Sequence, residues 1–199
     1  MHGVLILASS SAARQSLLER ARVPFQAVDS RVSEAPIKAA CQVKKLTPME
    51  TAMVLARTKA FSVAKDRPND LVLGADQILT CGETWLDKPV GEDGLRAHLR
   101  QLEGRTHDLI NATVIVQGKT VVWQHQDSIT MVMRQLSDVF IDAYIEEAGE
   151  TAYQSVGGYQ LEGMGAQLLD RADGDFFSIL GLPLLPLLAF LRCREVVAS

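Results

Sequence analysis

Cysteine is scarce in this 199-residue sequence: Cys41, Cys81 and Cys193 are odd in number, far apart and without Cys-x-x-Cys spacing. That pattern excludes a disulfide framework and a zinc site of ordinary ligand spacing, and it fits a reducing, cytoplasmic setting. Aromatic residues make up only 6% of the chain, and no stripe interleaves them with basic side chains, so a stacking platform for single-stranded nucleic acid is missing. Neither sign of charge dominates. A formal net charge of −4 argues against a surface that grips duplex nucleic acid through many phosphates, yet leaves room for a local basic pocket. Long apolar runs are also absent: Ile179 to Leu191 falls short of the roughly 20 residues of a spanning helix and is broken by Gly181, Pro183 and Pro186. The short apolar stretch at the N-terminus has no basic region before it, so neither a secretory signal nor a membrane partner is expected.

What is present is an ordinary globular composition, 47% apolar and 22% charged, enough for one domain over 1–199 with a single core or two small lobes around a cleft. Strand and helix patterns interleave. Val4 to Leu7 reads as a strand, Ala12 to Ala21 as a helix, Pro24 to Val28 as a short strand and Ser30 to Pro48 as a polar connection containing Glu34. A helix is predicted from Met49 to Ala64, then a continuously apolar strand from Asp70 to Ala75 that delivers Asp76 and Gln77 to its carboxyl end. Ile78 to Leu86 reads as a hairpin turning near Cys81-Gly82-Glu83, and Glu92 to Leu102 as a helix stopped at Gly104. Thr106 to Val116 and Lys119 to Met133 read as two long strands around Gln117-Gly118. Ser137 caps a helix to Ala148, and a glycine-punctuated, loop-rich stretch leads to a terminal helix from Pro183 to Cys193. The fold class is α/β, mixed α+β: a central, twisted mixed sheet flanked by helices.

The chemistry starts at the first strand-to-helix turn. Unpaired N–H groups and the peptide dipoles make a helix N-terminus attractive to phosphate. Here Ser9, Ser10 and Ser11 form the turn and Arg14 adds a fork-shaped cation. Serine is also simply a good N-cap, so the turn alone decides little. The same holds for a lone Asp after a strand or a lone Lys on a helix. Together, however, Arg14, Lys59 and Lys88 with Glu34 and Asp76 supply three cations and two carboxylates, which is what a polyphosphate with a divalent cation requires. His2, His98, His107 and His125 lack ligand spacing and read as surface or strand-end residues.

Several separated motifs carry a resemblance from end to end. They are Leu7-Ala8-Ser9-Ser10-Ser11-Ala12-Ala13-Arg14 followed by Leu17-Leu18, Glu34, Lys59-Ala60, Gly74-Ala75-Asp76, Lys88-Pro89 and Gly181-Leu182-Pro183-Leu184. With these in order the chain resembles the Maf family of nucleoside triphosphate pyrophosphatases. The resemblance implies a Maf-like fold and hydrolysis of a nucleoside triphosphate to the monophosphate and pyrophosphate with Mg²⁺ or Mn²⁺. Ser9, Arg14, Lys59 and Lys88 would contact the triphosphate. Glu34 and Asp76 would bind metal or organise water, with Asp76 the favoured general base, and activation by metal, by Asp76 or by both gives the same residue list. Three family positions that line the base pocket fall on Ala13, Gln77 and Glu162. Gln and Glu there resemble the 7-methylguanosine triphosphate group rather than the thymidine and uridine triphosphate enzymes, whereas Ala13 removes an aromatic platform. A dTTP or UTP pyrophosphatase, and a non-catalytic nucleotide-binding regulator of septum formation, stay open as alternatives. A homodimer is compatible with the resemblance.

Overall fold

The computed structural model describes residues 4–198; His2 lies outside them. Its strands are β1 (Leu5–Leu7), β2 (Gln26–Ala27), β3 (Leu71–Cys81), β4 (Thr84–Leu86), β5 (Thr106–Gln117), β6 (Thr120–Met133) and β7 (Leu169–Asp173). They form one seven-stranded sheet of order β2-β1-β3-β5-β6-β7, with β4 paired to β3. The sheet is mixed. β1 runs parallel to β2 and to β3, with Leu7 opposite Leu73, whereas β4 is antiparallel to β3 and β7 antiparallel to β6. The helices are α1 (Ala12–Arg20), α2 (Glu34–Val43), α3 (Pro48–Ala64), α4 (Gly91–Leu102), α5 (Asp138–Ala148), α6 (Phe176–Ile179) and α7 (Leu184–Cys193). None among the described residues is long and apolar enough to cross a membrane.

The chain divides into two compact units. The first takes the residues up to Gln77, Asn111–Asp127 and the residues from Phe176 on; the second takes Ile78–Ile110 and Ser128–Asp175. In the first unit Leu5, Leu7, Leu71, Leu73 and Ile115 of the sheet pack with Leu17 and Leu18 of α1 and Leu184, Leu187 and Leu191 of α7. Each such side chain contributes about 1.5–3 kcal/mol on burial, which ties the N-terminal helix to the C-terminal one through the strands. In the second unit α4 buries Leu95, Leu99 and Leu102, a stripe at helical spacing, and α5 buries Ile141, Tyr144 and Ile145.

His107, near the start of β5, is buried rather than superficial, and its Nε2 lies 2.7 Å from the Tyr159 hydroxyl. Burial, only partly offset by the Arg105 backbone and Asp108, lowers its pKa to about 4. Below pH 6.5 the unfolded chain takes up a proton here that the folded chain refuses until about pH 4. Stability from this residue is therefore complete above the unfolded value and falls by about 3 kcal/mol as the pH drops through that window. Urea unfolding at pH 7 and pH 4 should show this loss in the wild type and a shallower one in His107→Gln; equal slopes would contradict it.

Three sequence expectations change. Ser30 to Pro48 is not a connection throughout: it holds α2, whose first residue is Glu34. Ser33 at the N-cap, an acidic first turn and Pro36 within that turn were the signals for it. The strand expected to end at Ala75 runs on to Cys81, so Asp76 is inside β3 rather than at its end. The glycine-rich stretch is more ordered than a loop wall, with 3₁₀ turns at Gly149–Gln154, Val156–Gly158 and Met164–Leu168 leading into β7.

Candidate active site

The N-terminal turn is built as an arginine holder. Ser11 caps α1, and the Ser9 hydroxyl oxygen accepts from the Ser11 N–H at 3.2 Å and from Arg14 Nη1 at 3.3 Å. Arg14 is buried, and its Nε donates to the Gly181 carbonyl at 3.0 Å. Burial lowers the guanidinium pKa while Asp76 and Glu34 oppose that shift, so both carboxylates lie within electrostatic reach of this turn. The sheet explains why. β1 and β3 are parallel neighbours with Leu7 opposite Leu73, and each chain reaches its polar residues, Ser9 and Asp76, just beyond that pair.

Asp76 occupies a particular stretch of β3, after its parallel partner β1 has ended and before its antiparallel partner β4 begins at Leu79. Facing it is α3, whose N-terminus is fixed by a reciprocal capping box between Thr47 and Glu50. Gly74 lets the helix come close: a Cβ there would sit 2.3 Å from the Ala56 carbonyl oxygen and 2.9 Å from the Ala60 nitrogen. That approach brings the buried Lys59 Nζ to 2.6 Å from Asp76 Oδ1, while Glu34 Oε1 at the start of α2 lies 2.6 Å from the same ammonium. Lys38, one turn along α2, approaches Glu34 at 3.7 Å.

The two carboxylates are pushed apart electrostatically. Asp76 is 3% exposed, and burial raises its pKa against the lowering pull of Lys59 and Arg14. Glu34 is half-exposed. Burial works to raise its pKa too, but Lys59, Lys38 and Arg14 outweigh it and hold the group below the usual range. Paired carboxylates of unlike pKa are the arrangement in which one can take a proton while the other stays charged. Asp76 Oδ2 is buried without a hydrogen-bond partner. An orphaned acceptor on one carboxylate beside a second, half-exposed one suits a hard divalent cation, which takes one or two protein carboxylates and fills its shell with phosphate and water. Among the described residues no group of three or more His, Cys, Asp or Glu is placed to hold a metal by itself.

Within the first unit the structure thus brings together Ser9, Arg14, Glu34, Lys59 and Asp76. Ala13 is half-buried on α1. Gln77 follows Asp76 on β3, so its side chain leaves the opposite face of the strand, where Nε2 donates to the Ser178 and Ile179 carbonyls at 3.2 Å each. Lys88 and Glu162 belong to the second unit, both exposed: Lys88 in the segment after β4, and Glu162 in the turns before β7. Sequence reasoning missed Lys38, Gly74 as the contact surface for α3, and the Gly181 carbonyl that orients Arg14. Glycine inside a buried strand was the available signal for Gly74; a backbone carbonyl leaves none.

The sequence model of the family described as Maf-like protein matches residues 4–194. A nucleoside triphosphate pyrophosphatase of Paramagnetospirillum magneticum is 44% identical over 187 residues, 94% of this chain and 96% of that protein. Two proteins named 7-methyl-GTP pyrophosphatase are similarly close. That of Mesorhizobium japonicum is 44% identical over 94% of both chains, and that of Rhizobium meliloti 43% identical over 96% of both. The motifs, the arginine-holding serine turn and this end-to-end similarity agree: the chain belongs to the Maf family.

Proposed function

We propose that this chain is a nucleoside triphosphate pyrophosphatase that splits the α–β phosphoanhydride bond, releasing a nucleoside monophosphate and pyrophosphate. The observation that carries the reading is the Lys59 ammonium shared at 2.6 Å by Asp76 and Glu34, with the buried Arg14 in electrostatic reach. Arg14 and Lys59 are the cations for the phosphate oxygens, and Ser9 fixes the Arg14 guanidinium before substrate arrives. Asp76 is the base that accepts a proton from the attacking water; a carboxylate whose pKa is raised by burial does this better than an ordinary one. Glu34 stays ionised, because Lys59, Lys38 and Arg14 hold its pKa below the usual range against burial, and it fixes Lys59 Nζ at 2.6 Å. Asp76 and Glu34 would hold a divalent cation, Mg²⁺ or Mn²⁺, which when bound neutralises phosphate charge and lowers the pKa of water.

The finer reading is 7-methyl-GTP as substrate. Two relatives carry that name, and this chain has Gln77 and Glu162 at the base positions. A carboxylate can accept from the guanine N1–H and amino group and favours the positive charge of a methylated ring. Pyrophosphate release from GTP, 7-methyl-GTP, UTP and dTTP, with Mg²⁺, with Mn²⁺ and with chelator, tests both statements. Turnover that is cation-dependent and fastest on 7-methyl-GTP is expected. No release from any triphosphate would refute the activity. Glu162→Gln should cut the preference for 7-methyl-GTP over GTP by about 10-fold, the size of one lost charged contact; an unchanged ranking removes Glu162 from base selection.

A further inference from the structure

Ser178 has no place in the chemistry above, yet three neighbouring strands each send one polar side chain to it. It is fully buried on α6. Its hydroxyl donates to Asp127 Oδ2 of β6, and its carbonyl oxygen accepts from Asn111 Nδ2 of β5 at 3.0 Å and from Gln77 Nε2 of β3 at 3.2 Å. The same carbonyl accepts the Gly181 N–H at 3.0 Å, which closes the turn from Ser178 to Gly181. At the far end of that turn the Gly181 carbonyl receives Arg14 Nε. Gly181 has a φ of +100°, a conformation L side chains rarely adopt, and a Cβ there would lie 3.1 Å from Arg14 Nε. One short turn therefore holds the phosphate-directed guanidinium by its last carbonyl and the Gln77 amide by its first.

With Nε2 engaged by the Ser178 and Ile179 carbonyls, the Gln77 amide has only Oε1 to offer, an acceptor that matches a ring N–H or amino group. Were the turn to shift, the amide could rotate and present a donor instead. Asp127 and Asn111 are what keep it from shifting. Both sit on strands, their hydrogen bonds to Ser178 are made inside the first unit, and a partly buried, charge-assisted hydroxyl–carboxylate bond is among the stronger contacts available. We propose that Ser178, gripped by Asp127 and Asn111, is a positioning residue that fixes the Arg14 guanidinium and the Gln77 amide together, so that grip on phosphate and choice of base are set by one turn.

The proposal rests on the triphosphate reading of Arg14, so the test has one readout without nucleotide and one with it. In ¹⁵N spectra of the free protein, Ser178→Ala should shift or broaden the Arg14 Nε–H and Gln77 side-chain amide signals together, leaving backbone amides of α3 in place. Asp127→Asn, which keeps an oxygen for the Ser178 hydroxyl, should leave both signals near their wild-type positions. Across GTP, 7-methyl-GTP, UTP and dTTP, assayed well below each variant's Tm, Ser178→Ala should narrow the spread of kcat/KM by about 10-fold and raise KM more than it lowers kcat. If Ser178→Ala fails to fold, Asn111→Ala gives the same two readouts. Arg14 and Gln77 signals that do not move, or an equal loss on every nucleotide, would overturn the proposal and leave Ser178 a packing residue. A wild type inert toward all four triphosphates would refute the enzymatic reading instead, and the spectra would still decide whether the turn fixes both groups.

Discussion

Asp76→Asn is expected to lower kcat by at least about 100-fold while leaving nucleotide binding and the fold largely intact, because general-base assistance contributes roughly 10²–10⁴-fold and amide nitrogen cannot accept the proton. The structure explains why the fold should survive. Lys59 keeps Glu34 at 2.6 Å, and an Asn oxygen can accept from Nζ where Asp76 Oδ1 does now. The substitution also removes a carboxylate whose ionised form burial disfavours. Steady-state kinetics on the preferred triphosphate, with a thermal melt alongside, provide the check. Wild-type turnover would take Asp76 out of the mechanism. A collapsed Tm with proportionate loss of binding would make its role structural.

Lys59→Met should affect both catalysis and stability. Loss of one preorganised cation at developing phosphate charge costs about 10²–10³ in kcat. Removing one partner from a buried ion pair costs about 3–5 kcal/mol, because the charge left behind is uncompensated. The stranded charge is Asp76, whose pKa burial already raises above the ordinary range and which would rise further without Lys59. The sign follows from proton counting: a folded-state pKa above the unfolded one means the folded form binds more protons, so stability contributed by Asp76 is present in acid and lost as pH rises through the folded value. The deficit of Lys59→Met relative to wild type should therefore be smaller at pH 5 than at pH 8 in urea unfolding. An equal deficit at both would place the loss in packing of the lysine stem. Glu34, half-exposed, can be rescued by water and should not reproduce the effect.

Much of the order of elements was legible in the sequence because it is local. Leu95, Leu99 and Leu102 mark one face of α4, Ser137 caps α5 through the Phe140 N–H, and β5 turns into β6 at Gly118-Lys119, one residue past the expected Gln117-Gly118. Asp76 read as a strand end because a carboxylate in an apolar run normally stops a buried strand. It continues one here because Lys59, 17 positions earlier, supplies the counter-charge. Glu34 read as part of a connection because the helix it starts is short and has a single buried residue, Cys41. Asp76 and Gln77 read as delivered together to the end of a strand; within β3 they leave opposite faces, and the Gln77 amide meets the Ser178 and Ile179 carbonyls.

The sequence alone determined which chemical groups this protein has and the order in which they come: a serine turn with an arginine, two carboxylates, two lysines, and motifs that mark the family. Periodicity and caps are short-range properties, so they survive in one dimension. Tertiary structure decided which of those groups meet. That Lys59 serves both Asp76 and Glu34, and that the Gly181 carbonyl orients Arg14 from 167 residues away, depends on β1 and β3 lying side by side, on Gly74 admitting α3, and on the C-terminal turn folding back onto the first helix. Such contacts arise from burial of distant apolar faces against one another, and no local pattern of residues encodes them.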